Sequence, residues 1–157
     1  MDKARLQRFF NQPVGELELA HPPLVEPGTP VREAVALMAA ESHSCVLVSQ
    51  EGRAVGILTE RDVLSKCMTD GFDWAAPVDA VASMKPVVIE RGRPVGEAVA
   101  TMRRYRYRTL PVVDEEGRVL GIVRLEDLLR ALAEVYPEEV LNIPPRPHQV
   151  VEKREGG

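Results

Sequence analysis

The spacing of apolar residues along the chain changes several times, and the changes come twice in the same order. Val31, Ala34, Val35 and Met38 recur at helical spacing, as do Val95, Ala98, Val99 and Met102. A short apolar run and a Gly turn precede each stretch: Leu24-Val25 in the first case, Val87-Val88-Ile89 in the second. A buried-looking strand follows each helix, Cys45-Val46-Leu47-Val48 and then Thr109-Leu110-Pro111-Val112-Val113. An acidic-Gly turn leads into a second β-prone run, Ala54 to Leu58 and Val119 to Val123, which predicts a hairpin. A helix closes each unit, from about Glu60 to Cys67 and from about Leu125 to Val135. The order β-α-β-β-α is predicted twice.

The residues repeat as well as the pattern. A shift of 64 positions aligns Val14 with Val78, Pro22 with Pro86, Gly28 with Gly92, and Glu33-Ala34-Val35 with Glu97-Ala98-Val99. After one inserted residue in the Asp114-Glu115-Glu116 turn the shift is 65, matching Gly56-Ile57 to Gly121-Ile122 and Asp62 to Asp127. Two copies are too few for a solenoid. They predict an α/β (α+β) fold in which two β-α-β-β-α repeats pack face to face with pseudo-two-fold symmetry in one domain. Residues 13–70 form the first repeat and 77–135 the second, joined by a linker at 71–76 in which Trp74 covers a gap between them. Residues 1–12 read as an amphipathic packing arm with Leu6, Phe9 and Phe10 on one side. Residues 136–157 read as an extended, proline-rich tail with a charged end.

Composition narrows the function. The 157 residues are 45% hydrophobic and 28% charged, as in soluble globular proteins, and only 4% aromatic, so the core rests on aliphatic side chains. A net charge of −4 argues against a general nucleic-acid or anionic-membrane binder. The run Arg103-Arg104-Tyr105-Arg106-Tyr107-Arg108 is a local exception that reads as a solvated helix end; its tyrosines offer RNA bases a stacking surface. No apolar stretch reaches membrane-span length and the first residues lack a signal-peptide core, so a cytoplasmic location is expected. Cys45 and Cys67 have no CxxC or metal-like spacing, and His21, His43 and His148 are scattered. No nucleophile stands with a base, so neither catalysis, a metal nor a catalytic cofactor is expected.

Candidate chemistry concentrates in Gly56-Ile57-Leu58-Thr59-Glu60-Arg61-Asp62, where a strand runs into a helix. Thr59 is a good N-cap, and a hydroxyl beside free amides at the positive end of a helix can hold a phosphate. Thr-x-x-Asp is also an ordinary helix start. Gly121-Ile122-Val123-Arg124-Leu125-Glu126-Asp127 repeats the Gly, Ile and Asp at the same spacing.

With its paired units, its Leu110-Pro111-Val112-Val113-Asp114 strand and this Gly-apolar-x-Thr-x-x-Asp end, the chain resembles a tandem pair of CBS domains, or Bateman module, over roughly Pro13 to Ala133. The resemblance implies two clefts between the repeats, each able to take an adenosine-type ligand. In the first, Asp62 would accept from the ribose hydroxyls, Thr59 would meet the α-phosphate, and Ile57 would wall the base. Arg108, Thr109, Leu110 and Pro111 would form the opposite wall, with His21 and Pro22 close by. In the second, Asp127 and Ile122 are in place, but Arg124 stands where Thr or Ser is expected. Ser44, Cys45 and Val46 would line its far wall and Lys85 would add charge. The resemblance further implies a stand-alone regulatory module that binds AMP, ADP or ATP and signals to a separate, unidentified partner. A homodimer would form through the helices after Thr59 and Arg124, using Leu64, Leu128, Leu129 and Leu132. A ligand-free dimerising scaffold is the alternative reading, and an RNA-binding protein a third.

Overall fold

The computed structural model describes residues 2–135, so the proline-rich tail and His148 lie outside the described residues. Helix α1 (Lys3–Asn11) is followed by strand β1 (Leu24–Val25), helix α2 (Val31–Ala40) and the hairpin β2 (Cys45–Gln50) and β3 (Arg53–Thr59). The closing helix of the first repeat, expected to be continuous, is a single α turn, α3 (Glu60–Asp62), that loosens into a π turn over Val63–Cys67. After β4 (Ser83–Met84) the order recurs as β5 (Ile89–Glu90), α4 (Val95–Tyr105), β6 (Thr109–Val113), β7 (Val119–Arg124) and α5 (Leu125–Val135).

Two sheets result, in the orders β1-β2-β3-β4 and β5-β6-β7. In each, the short first strand lies parallel to the next and the hairpin is antiparallel. The first hairpin turns through Glu51 and Gly52, both at positive φ, which suits a tight two-residue loop. The second is longer: Asp114 Oδ1 accepts the Glu116 and Arg118 amides, so the inserted residue is absorbed in a side-chain-tied turn.

The repeats exchange their leading segments. β4, which opens the second repeat, pairs antiparallel with β3 of the first, Met84 opposite Gly56. Ala20, which opens the first repeat, exchanges both backbone hydrogen bonds with Ile122 of β7, at 3.0 and 2.8 Å. The same reciprocity holds further out, where Pro13 bridges Pro94 and Pro77 bridges Pro30. The cores follow suit. Val78, Val81 and Ala82 pack with Val31, Val46 and Leu58, whereas Phe9 and Val14 pack with Val95, Leu110 and Val123. Helix α1 therefore serves the second repeat.

Side chains on a strand alternate between its faces. On β2, Val46 and Val48 enter the first core while Cys45 and Leu47 face Ile122 in a smaller cluster between the sheets, joined at its edge by Ile57. Trp74, in the linker, bonds α2 through its carbonyl, which accepts the Arg32 amide. It stacks edge-on against Phe72, which packs on the first core. Of the leucines assigned to a dimer contact, Leu128 is buried and Leu132 packs on the second core, while Leu64 and Leu129 are 68% and 59% exposed.

Candidate functional site

Each hairpin delivers the end of its second strand, and the helix start that follows, to the junction of the two sheets. Thr59 leaves β3 in extended conformation and caps α3, accepting the Asp62 amide at 3.3 Å. Asp62 Oδ2 in turn accepts from the Thr59 amide and hydroxyl, both at 3.0 Å. The cap and the ligand reading thus use the same residues. The other carboxylate oxygen, Oδ1, meets Lys66 Nζ at 3.1 Å, from a lysine side chain 45% exposed. Lys66 also donates to the Val81 carbonyl at 2.9 Å. Asp62-to-Lys66 is helical i,i+4 spacing, the signal in the sequence that would have found this partner.

The second repeat builds the equivalent corner differently. Arg124 ends β7 and gives Asp127 three hydrogen bonds: its amide and Nε reach Oδ2 at 2.9 Å, and Nη2 reaches Oδ1 at 2.8 Å. Its remaining nitrogen, Nη1, is 3.1 Å from Glu126 Oε1, and Arg130 stands 3.6 Å from Asp127 Oδ1. Burial pushes the Asp127 carboxyl up, but the hydrogen bonds and charge of Arg124, with Arg130, outweigh it and hold the group below its ordinary 3.8. A depressed folded pKa stabilises the fold above the unfolded value and ceases to do so as pH falls through the folded one. Urea midpoints of the wild type and Asp127→Asn are therefore expected to differ at pH 7 and to converge below pH 3.8. A difference that persists unchanged in acid would rule this linkage out.

In front of Arg124 lies a cavity of about 650 Å3, lined among others by His43, Ser44, Glu60, Val63 and Glu126. Ser44 and Arg124 thus line the same cavity. Cys45 is buried behind them; burial above all pushes its thiol up to about 11, with Arg124 opposing, so it is a neutral wall and not a nucleophile. Among the described residues, no group of three or more His, Cys, Asp or Glu could hold a metal ion, and no helix is long and apolar enough to cross a membrane.

Several wall residues stand elsewhere than expected. Ile57 and Ile122 face the inter-sheet cluster, and Pro111, opposite Ile122 on β6, shares its side. Val46 and Leu110 are one residue out of phase and point into the cores of their own repeats, whereas Leu47, left out of the candidate set, faces the junction. Thr109 pairs with Arg124, and exposed Arg108 accepts the Leu125 amide through its carbonyl, so both stand at the corner of their own repeat. His21 and Lys85 change sides. The His21 ring lies against β7, 3.4 Å from where a Cβ on Gly121 would be, while the Lys85 amide donates to the Val55 carbonyl of β3. Exchange of the leading strands is the cause.

Two copies of the CBS domain match the chain, over residues 14–69 and 78–134. The protein belongs to the CBS family. Inosine-5'-monophosphate dehydrogenase of Aquifex aeolicus is 31% identical over 114 residues, 71% of this chain and 23% of that enzyme, so the likeness covers less than a quarter of the relative. An uncharacterised conserved protein of Pyrococcus horikoshii has a similar structure (TM-score 0.70, 27% identity, 78% of this chain and 93% of that one). So does the cytosolic domain of the Mg2+ channel MgtE, solved in complex with ATP (TM-score 0.65, 29% identity, 82% of this chain and 52% of that one). The CBS pair of these proteins is the fold described above.

Proposed function

We propose that this CBS pair binds an adenine nucleotide at the corner formed by Thr59 and Asp62, and that occupancy is passed on to a separate effector protein. The observation that carries the reading is the state of Asp62. Among the described residues its Oδ1 is held only by Lys66, a side chain that reaches in from the surface and can turn to a phosphate instead. Its Oδ2 sits beside a hydroxyl and the first amides of a helix, where negative charge is favoured. Ile57 supplies an apolar surface next to it. The likeness to the ATP-bound MgtE domain supports the same ligand class. The exposed Leu64 and Leu129, on the helices that follow the two corners, support association into a homodimer.

Thermal unfolding with AMP, ADP, ATP and S-adenosylmethionine tests the proposal. A ligand at 100 times its dissociation constant adds about 2.7 kcal/mol, which for this size of chain is a rise of roughly 5–11 °C. Sedimentation of the same samples reports whether the Leu64 and Leu129 faces pair. No rise with any of the four, in a protein that sediments as a dimer, would favour the ligand-free scaffold instead.

A further inference from the structure

The two corners are not equivalent, and the difference that meets the carboxylate most directly lies at one position. Where the first repeat has Thr59, the second has Arg124, and the side chain is folded back on its own carboxylate. We infer that Arg124 is a built-in occupant of the second cleft, so that the protein takes one nucleotide per chain and not two. This rests on the nucleotide reading above, and the experiment below separates the two.

A ribose hydroxyl pair needs acceptor positions on the carboxylate that are free or readily freed. At Asp62, Oδ2 is used by the Thr59 amide and hydroxyl, but Oδ1 is reached, among the described residues, only by a half-exposed lysine. At Asp127 both are taken by a planar guanidinium in a two-point fit, on a side chain only 6% exposed. Such a fork is geometrically matched to a carboxylate in a way an ammonium is not. Expelling Arg124 would leave a buried carboxylate whose charge it now neutralises. With the fourth contact, Nη1 to Glu126, every guanidinium nitrogen has a carboxylate partner, and only the second N–H of each terminal nitrogen is left over. The cavity in front adds to the exclusion. Glu60 and Glu126 both line it, and among the described lining residues the only lysine or arginine is Arg124, already engaged. Polyphosphate entering there would meet two carboxylates beside the Ser42, His43 and Ser44 side chains, with no uncommitted lysine or arginine among the described lining residues to offset them. Threonine at position 124 would take the guanidinium off Asp127 and place a small hydroxyl at the helix start, as Thr59 does beside Asp62, while Glu60 and Glu126 would remain in the lining.

The test is the binding stoichiometry of AMP by equilibrium dialysis on the full chain. Wild type is expected to bind one equivalent and Asp62→Ala none. Arg124→Thr is expected to bind two, and Arg124→Thr with Asp127→Ala to return to one. Arg124→Ser provides the same hydroxyl should the threonine variant unfold. Two equivalents on wild type would overturn the inference while leaving the nucleotide reading intact, as would a single equivalent on folded Arg124→Thr and Arg124→Ser. No binding by wild type but one equivalent on Arg124→Thr would support closure by Arg124 and remove the first-cleft reading. No binding by either protein would remove both. Should neither variant at Arg124 fold, wild type decides alone: one equivalent that disappears with Asp62→Ala supports the inference.

Discussion

Asp62→Ala is expected to leave the protein folded yet erase the rise in melting temperature that a bound nucleotide produces. The carboxylate would accept both ribose hydroxyls, and hydrogen bonds to a charged group contribute about 1.5–3 kcal/mol each. Losing the pair lowers affinity by roughly two orders of magnitude or more. The substitution also removes half of a capping box, which costs about 1 kcal/mol. The unliganded melting point should therefore drop by roughly 2–4 °C. The two effects are read separately, the first as the gain on adding ligand and the second as the baseline. A variant that keeps the full ligand-dependent gain would show that the nucleotide is held somewhere else.

Leu47→Ala carries the largest expected effect on stability. Leu47 is fully buried and faces Cys45 and Ile122 where the two sheets meet. Truncating a buried leucine costs about 2–5 kcal/mol, more where the site cannot collapse. Sheets on both sides limit collapse here, so the upper half of that range is expected, with a fall of roughly 7–20 °C in melting temperature. Leu129→Ala, on the exposed side of α5, is the companion, expected to stay within about 0.5 kcal/mol in the monomer. Equal, small effects from both would mean that the sheets do not rely on the Leu47 contact.

What could be read from the sequence follows from how local the information is. The hairpins and helices came from periodicity and turn residues within a few positions of one another. The repeat then transferred each assignment to its copy, including the inserted residue at the Asp114 turn. Thr59, Asp62, Arg124 and Asp127 were legible because strand end, cap and carboxylate lie within four residues. The opposite walls were not. Which sheet receives the segments around His21 and Lys85 depends on pairing across about a hundred residues in one case, and neither segment carries enough apolar alternation to announce a strand. Ser83–Met84 is two residues long and exposed, so it left no pattern. Val46 and Leu110 are a different kind of miss. The alternation of faces along a strand, fixed once Ile57 and Ile122 are set toward the junction, would have excluded them in favour of Leu47. The π turn at Val63–Cys67 has no counterpart in α5 and no marker in its residues for which we have a physical account.

The exchange of leading segments has a bearing on how the chain can be divided. Severing the backbone in the linker between the halves would give an N-terminal piece lacking Val78 and its neighbours, and a C-terminal piece lacking Phe9 and Val14. Each fragment would hold the plug for the other's hydrophobic interior and neither could seal its own. Recovery of the native state would then be a bimolecular event, dependent on concentration, and the boundary visible as a duplication in the sequence is not a seam along which the folded molecule comes apart.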